Sequence, residues 1–185
     1  MGLRKSFVMV VGLLAVLSVQ AAEPPASYVD AGVCPFECCT YGSWTAIQDV
    51  TVFDQVEDGK TVAEVHSEQP VHALTGDVHI RRPGVVEVRR EHESAETGRR
   101  YLPGDKLYVY TYQGEGYYKV WFEQAWLSEE IPFLAGWAGC EEDDSCWGEV
   151  LSTPESRWWV RVRLESGLEG WVDDADGFFG KDACG

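Results

Sequence analysis

The stretch that most constrains the fold of this chain is Ser156–Val172, whose sequence is SRWWVRVRLESGLEGWV. Two sets of side chains alternate in its first half: Trp158, Val160, Val162 and Leu164 in one set, and Trp159, Arg161, Arg163 and Glu165 in the other. A period of two is typical of a strand with one buried and one solvated face. Gly167 lies in the predicted turn, and Gly170-Trp171-Val172 begins the predicted return strand. Because a single hairpin is barely stable in water, this one must pack against further strands.

The rest of the chain supplies such strands as short, closely spaced segments. Residues 44–90 contain several β-branched or aromatic runs separated by turn sequences such as Glu57-Asp58-Gly59-Lys60. Residues 101–123 contain another pair of runs, separated by Gln113-Gly114-Glu115-Gly116. Helical periodicity is absent from the sequence after the N-terminal apolar run, so the pattern predicts an all-β protein built as a small barrel or sandwich.

Charge and composition divide the predicted β structure into two units. The segment 90–100 is highly charged and has no apolar face, which is typical of a linker. We therefore expect a Cys-rich N-terminal segment at 22–43, a first β unit at 44–97 and a second at 98–185. The second unit contains an insertion at 124–154, where three tryptophans and an acidic loop interrupt the strand pattern, and it ends in an acidic tail.

The first 21 residues have the features of an export signal. Arg4 and Lys5 precede an apolar run, Phe7–Val19, and Ala21 lies among small residues. The run is shorter than the roughly 20 apolar residues that span a bilayer, which favours a cleaved signal peptide at 1–21 over an uncleaved anchor. We expect a periplasmic or secreted protein with no membrane anchor after cleavage.

The chain is strongly acidic, because 15 basic and 31 acidic residues give it a formal net charge of −16. Loss of Arg4 and Lys5 with the signal peptide moves this charge from −16 to −18. Such a charge argues against binding to nucleic acid and to anionic membranes, both of which attract lysine and arginine. It permits a basic partner, although the solubility of an exported protein is a sufficient reason for it.

All six cysteines follow the predicted signal peptide, and an even number in an exported chain predicts disulfide bonds. Cys140 and Cys146 flank a short acidic loop and are expected to pair with each other. Three more cysteines cluster near the N-terminus: Cys34, Cys38 and Cys39. Cys184 is expected to reach back to this cluster and to tie the two ends of the chain together. The sequence leaves the pairing open, because six cysteines allow 15 arrangements.

The strand pair at 106–122 carries a prediction about the surface. If Leu107, Val109 and Thr111 face the core, the interleaved tyrosines face solvent. The resulting candidate contact face contains six aromatic residues: Tyr108, Tyr110, Tyr112, Tyr117, Trp121 and Trp159. The alternative is that these rings form the core face or the cross-strand pairs of a buried sheet.

Several motifs resemble those of bacterial Src-homology-3-like (SH3b) domains. Trp159-Val160-Arg161-Val162, followed by Gly170-Trp171-Val172, is similar to the end of such a domain, and Gly104–Val109 is similar to an earlier strand. Val50–Leu74 resembles the opening of the domain. With its Cys34-Pro35-Phe36-Glu37-Cys38-Cys39 start, the chain also resembles exported proteins of Gram-negative bacteria that carry this kind of domain.

The resemblance implies one or two small SH3-like β-barrel units. The insertion at 124–154, which the expected Cys140–Cys146 disulfide would staple, departs from an ordinary small barrel of this kind. The resemblance also implies an aromatic groove that holds cell-wall (peptidoglycan) peptide or glycan, or a segment of an envelope protein. We therefore expect a non-catalytic exported binding module without a cofactor. The alternatives are an inhibitor or accessory partner of a periplasmic enzyme, with the Cys140–Cys146 loop as the inserting element, and a cell-wall hydrolase.

Catalytic and metal-binding chemistry finds little support in the sequence. A Cys–His hydrolase needs a free thiolate, whereas disulfides are expected here, and the chain has no asparagine for a Cys-His-Asn triad. Zinc would need the three N-terminal cysteines and Cys184, but the usual second close pair is missing. The acidic loops at 141–144 and 173–177 could offer oxygen ligands to calcium, but the second lacks the terminal acidic residue of an EF-hand loop. We read both as solvated loops and expect no metal site.

Overall fold

The computed structural model describes residues 22–136, 146–173 and 175–184 of the 185-residue chain. Within these residues all regular structure is β, apart from one short 3-10 helix at Ala175–Gly177. The all-β prediction is therefore confirmed, and the curled larger sheet is consistent with small barrel units. The predicted signal peptide at 1–21 lies outside the described residues.

Fifteen strands are present in the described ranges. They are β1 (Tyr28–Ala31), β2 (Gly42–Ala46), β3 (Val50–Phe53), β4 (Thr61–Val65), β5 (Pro70–Arg82), β6 (Gly84–Val88), β7 (His92–Glu93), β8 (Arg100–Tyr101), β9 (Lys106–Gly114), β10 (Tyr117–Phe122), β11 (Ala125–Glu130), β12 (Gly148–Ser152), β13 (Glu155–Leu164), β14 (Glu169–Val172) and β15 (Phe178–Phe179). In several strands, more buried and less buried residues alternate as the sequence predicts. β6, for example, buries Gly84, Val86 and Val88. This alternation gives each sheet one face for a core.

The strands form two main sheets. The larger sheet has eight strands, in the order β15-β2-β5-β13-β14-β3-β4, with β1 paired to β5 outside this path. The smaller sheet has five, in the order β11-β10-β9-β6-β12, and β7 pairs with β8 in a separate ribbon. β5 and β13 are the longest strands, and their pairing extends from Glu155 opposite Arg82 to Leu164 opposite Val71.

The smaller sheet comes from a segment nested inside the larger one. β5 ends at Arg82, Pro83 interrupts the ladder because proline has no N–H to donate, and β6 begins the smaller sheet at Gly84. The chain returns to the larger sheet at Glu155. The sheets thus divide the chain near 83 and 153, whereas the sequence predicted a division between 97 and 98. The charged segment 90–100 contains the β7–β8 ribbon, and its composition could not show that β13 pairs back to β5.

The hairpin predicted at Ser156–Val172 is present as β13 and β14, with Val160 opposite Val172 and Val162 opposite Gly170. The glycine is required at position 170 because of its neighbours on β3. A Cβ there would lie 2.5 Å from Val52 Cγ1 and 2.7 Å from the Phe53 carbonyl oxygen. Close approach of β14 to β3 therefore depends on Gly170.

Apolar side chains of the described residues form three core clusters. The first lies on the larger sheet and includes Trp44, Val52 and Val160. The second lies on the smaller sheet and includes Leu107 and Ile131. The third is small and lies between the sheets, where buried and half-buried side chains from both meet: Val78, Ile80, Tyr110, Tyr28, Val33, Tyr108, Trp121, Trp126 and Trp158. Contact between the sheets is therefore largely aromatic.

Disulfide bonds fasten the two ends of the described chain. Cys34 pairs with Cys39, and Cys38 pairs with Cys184, which confirms the prediction that the C-terminal cysteine reaches back to the cluster. The Cys38–Cys184 bond closes a loop with a sequence separation of 146 residues. Cys146 is also disulfide-bonded, but Cys140, its predicted partner, lies outside the described residues.

The disulfides indicate an oxidising, non-cytoplasmic location. Among the described residues no helix has the length and hydrophobicity needed to cross a bilayer.

Candidate functional site

A β-bulge in β9 divides the predicted aromatic face. Val109 pairs with Val120 and Tyr112 pairs with Tyr118, so β9 has one more residue than β10 between these two pairs. An extra residue turns every following side chain to the opposite face. Tyr112 consequently packs against the core of the smaller sheet, instead of sharing a face with Tyr110.

Tyr110 is 2% exposed and lies between the two sheets. Its hydroxyl donates to the Pro25 carbonyl oxygen at 2.6 Å, and its ring packs edge-on against Tyr28 and Trp126. Burial raises the pKa of Tyr110 to about 12. Tyr110 is thus a structural residue of the junction and not the exposed contact residue that the sequence predicted.

Trp159 is also buried, at 3% exposure, and packs edge-on against Phe53 at 5.8 Å. Its strand is covered on both faces at this point, which the alternation of Trp158 with Trp159 could not reveal. Tyr108 and Trp121 are half-buried and pack in the cluster between the sheets. These three rings therefore contribute mainly to packing.

The aromatic surface beside Trp126 is already occupied by a cation of the protein itself. Lys119 Nζ lies 2.9 Å from Asp30 Oδ1 and 2.8 Å from the Tyr28 hydroxyl. It also lies 4.8 Å from the centre of the Tyr28 ring and 5.6 Å from that of Trp126. Because Lys119 is on β10 and the other two groups are on β1, this contact fastens the N-terminal strand to the smaller sheet.

A cleft of about 300 Å³ remains open where the two sheets meet, and we call it the junction cleft. The larger sheet, the smaller sheet, the Cys-rich loop and the β12–β13 connection all contribute side chains to it: Pro35, Val78, Tyr110, Thr111, Tyr112, Tyr118, Pro154, Ser156 and Trp158. None of these nine residues carries a charge at neutral pH. Two of the predicted contact residues, Tyr110 and Tyr112, therefore reach a common cleft from opposite sides of the bulge.

Thr111 gives the junction cleft an unsatisfied polar group. The residue is 2% exposed, and its Oγ1 has no hydrogen-bond partner within the described part of the chain. A buried hydroxyl without a partner costs on the order of 1–3 kcal/mol. Thr111 lies at the bulge, between the Val109–Val120 and Tyr112–Tyr118 pairs that β9 makes with β10.

The indole N–H of Trp158 lies on the other side of the cleft, against Tyr41. Within the described residues it has no partner of good hydrogen-bond geometry. Burial raises the pKa of the Tyr41 phenol to about 12, although the nearby Trp158 indole N–H has a smaller, lowering effect. The Tyr41 hydroxyl donates in turn to the Val33 carbonyl oxygen at 2.5 Å. The Trp158 ring is therefore fixed in place and presents its apolar surface to the cleft.

The Cys-rich loop fixes the third wall of the cleft through Glu37. Glu37 Oε1 accepts hydrogen bonds from the Tyr112 hydroxyl at 2.9 Å and from the Glu115 amide at 2.8 Å. The neighbouring Phe36 packs edge-on against Trp158 at 5.7 Å. The loop thus contacts both sheets, and Pro35 is held between them.

Tyr117, the last predicted contact residue, lies away from the junction cleft, beside a second pocket near His92. The Glu130 carboxylate has the largest effect in raising the pKa of the Tyr117 phenol, followed by burial and the carboxylates of Glu96 and Glu129. Its surroundings are therefore acidic, unlike those of the junction cleft.

The N-terminal cysteines and Cys184 hold no free thiols. Cys38, Cys184 and Asp182 come close together, but both sulfurs are joined in one disulfide and cannot ligate zinc as thiolates. Of the acidic loops, 141–144 lies outside the described residues, and in 173–177 Asp173 pairs with Arg157 and Asp176 with Lys181.

Comparisons with family models, with curated proteins and with solved structures return no match for this chain. Fold and site nevertheless define a class: a disulfide-bridged all-β protein of two sheets, with an uncharged aromatic cleft at their junction.

Sequence reasoning missed the other seven cleft residues: Pro35, Val78, Thr111, Tyr118, Pro154, Ser156 and Trp158. Thr111 was assigned to the core because strict alternation was assumed along β9. A β-bulge leaves only a weak sequence signal, and the contribution of Pro35 and Pro154 depends on contacts between distant segments.

Proposed function

We propose that this protein is a non-catalytic exported binding protein of the Gram-negative envelope, periplasmic or secreted after removal of residues 1–21. Its ligand is cell-wall material, and the junction cleft is where the ligand is held. The observation that carries the proposal is an uncharged cleft lined by fixed tyrosine, tryptophan and proline side chains, with the unpaired Thr111 hydroxyl inside it.

Such a lining suits short segments of sugar or peptide. Aromatic rings and prolines give apolar faces on which sugar rings and peptide units stack, and they lose little side-chain entropy on binding. A ligand group that hydrogen-bonds to Thr111 would satisfy a buried hydroxyl that lacks a partner in the described structure. Pockets of this kind combine apolar walls with few polar groups.

A binding role without catalysis fits the chemistry of the cleft. Its nine described lining residues include no carboxylate, histidine, lysine or cysteine that could act as nucleophile or general base. The described cysteines are all disulfide-bonded, which removes them as thiolate nucleophiles.

The proposal is tested by co-sedimentation of the exported protein with purified peptidoglycan sacculi. Ser156→Trp fills the cleft from an exposed position on β13 and leaves the core residues unchanged. The matched control is Ser43→Trp, at an exposed position on β2 of the same sheet, outside the cleft. We expect the wild type and Ser43→Trp to pellet saturably and Ser156→Trp to stay in solution.

The proposal is contradicted if the wild type does not pellet with the sacculi. It is also contradicted if both tryptophan variants fail to pellet. If the wild type pellets as expected, competition with chito-oligosaccharide or with free stem peptide shows whether the protein binds the glycan or the peptide of the wall.

A further inference from the structure

A second pocket, which we call the His92 pocket, lies on the smaller sheet and has a volume of about 200 Å³. The β7–β8 ribbon, the start of β10, the end of β11 and the segment after β11 enclose it together with Trp147, and its lining is His92, Ala95, Glu96, Tyr117, Glu129, Glu130, Pro132 and Trp147. The pocket shares no lining residue with the junction cleft. Any ligand it takes is therefore independent of the proposed wall binding.

A buried carboxylate lies in this pocket. Glu129 is 1% exposed; its Oε2 accepts a hydrogen bond from the Tyr101 hydroxyl at 2.8 Å, and its Oε1 lies 3.4 Å from His92 Nε2. Burial raises the pKa of the Tyr101 phenol, and the nearby Glu129 raises it further, so Tyr101 remains a neutral donor. Since each carboxylate oxygen accepts two hydrogen bonds, Glu129 has capacity for a further donor.

The pocket has an excess of negative charge. Glu96, Glu129 and Glu130 line it, and no lysine or arginine of the described ranges forms an ion pair with any of them. Among the described lining residues, His92 alone has a basic side chain. The raised pKa of Tyr117 at the same site has the three carboxylates among its causes. A buried carboxylate is costly unless a cation accompanies it.

The remaining walls are apolar and rigid. Trp147 stacks on the His92 ring, with ring centroids 4.3 Å apart and an angle of 2° between the planes. Phe133 packs edge-on against the Trp147 ring, with ring centroids 5.2 Å apart. Pro132 and Ala95 complete the apolar lining. Apolar walls with acidic groups suit a cation attached to a short aliphatic chain.

We propose that the His92 pocket binds a primary alkylammonium group, with Glu129 and Glu130 accepting its hydrogen bonds and Trp147 and Pro132 packing on its chain. A metal ion fits less well, because within the described residues no three ligand atoms of this pocket converge closely enough to coordinate one. An ammonium group needs no such convergence, since its three donors can reach separate acceptors.

The test is a titration of the full exported chain with n-butylammonium, followed by the NMR signal of the Trp147 indole N–H, which Trp147→Phe assigns. n-Butanol, a neutral molecule of similar shape, is the control ligand. We expect saturable shifts with butylammonium and none with butanol at equal concentration. Glu130→Gln removes one charged acceptor and should weaken binding about tenfold, as expected for one charge-assisted hydrogen bond.

The matched control is Glu165→Gln, which removes the same charge from an exposed turn of the larger sheet and should leave the affinity unchanged. Glu129→Gln should abolish binding, and if that variant fails to fold, Glu130→Gln decides the question alone. Equal shifts with butanol, equal weakening by Glu165→Gln, or no saturable shift in the wild type would overturn the proposal.

Discussion

The Thr111 hydroxyl is expected to affect both the stability of the free protein and its binding to sacculi. Its hydroxyl is buried without a partner in the described structure, and valine has nearly the same shape without the polar atom. Thr111→Val should therefore stabilise the free protein by about 1 kcal/mol, because an unsatisfied group is removed. The same substitution should weaken binding to sacculi, because the hydrogen bond offered to the ligand is lost.

Urea denaturation and sacculus co-sedimentation of this variant measure the two effects. Thr40→Val serves as comparison: Thr40 Oγ1 donates to the Tyr41 carbonyl oxygen at 3.1 Å, so that variant should lose about 1 kcal/mol. A Thr111→Val protein that is less stable than wild type, yet binds sacculi equally, would show that the hydroxyl has a structural partner and no part in binding.

At the level of single strands, the sequence predicted where strands form better than it predicted which side chains of a strand are buried. The β13–β14 hairpin formed as expected, because regular alternation and a glycine turn are local signals. The face assignment in β9 was wrong after Tyr110, because one bulge residue redirects Tyr112. Trp159 was misplaced for another reason: β13 is covered on both faces, and burial on the second face depends on Phe53, a distant residue.

The Cys-rich loop is the element that joins both sheets, and its two disulfides should differ in their effect on stability. In the chain-entropy description, a bond with a separation of 146 residues contributes about 5 kcal/mol and one with a separation of 5 contributes about 2 kcal/mol. Cys38→Ser/Cys184→Ser should therefore lower the free energy of unfolding more than Cys34→Ser/Cys39→Ser does.

Both double variants leave no unpaired thiol from the described bonds, so they form a matched pair. Denaturant unfolding followed by tryptophan fluorescence gives the two free energies. The reverse order would mean that the short bond within the loop, and not the closure of the chain ends, provides most of the stabilisation.

At the scale of the whole molecule, buried phenols predict a loss of stability in alkali. Burial raises the pKa of Tyr41, Tyr110 and Tyr118 to about 12 in the folded state, from 10.0 for an exposed tyrosine. A folded-state pKa above the unfolded value means that the folded protein holds the proton more tightly. The contribution of these three phenols to the free energy of unfolding is therefore fully present below pH 10 and is lost as the pH rises towards 12.

Urea midpoints measured between pH 9 and pH 12 should therefore fall steeply, together with a rise in tyrosinate absorbance on unfolding. Tyr110→Phe should reduce the slope, because one of the three groups no longer titrates. A midpoint that is constant over this range would contradict the burial of these phenols.

The arrangement of the two sheets could not be predicted from the sequence, although its parts could. The strands of the smaller sheet all lie within residues 84–152, with the β7–β8 ribbon between β6 and β9, and β13 pairs with β5 across this whole segment. Composition shows a charged segment at 90–100 and suggests a boundary there, whereas pairing between distant strands has no local signature. The junction cleft exists because of this nesting, so the sequence could indicate its tyrosines but not the cleft itself.

Binding of wall material in the junction cleft is tested directly by an NMR titration of the exported protein with soluble peptidoglycan fragments. We expect the Trp158 indole N–H and the Thr111 amide signals to shift saturably, and Ser156→Trp to abolish these shifts. Saturable binding that shifts only signals distant from the cleft, or that persists in Ser156→Trp, would show that the ligand binds elsewhere.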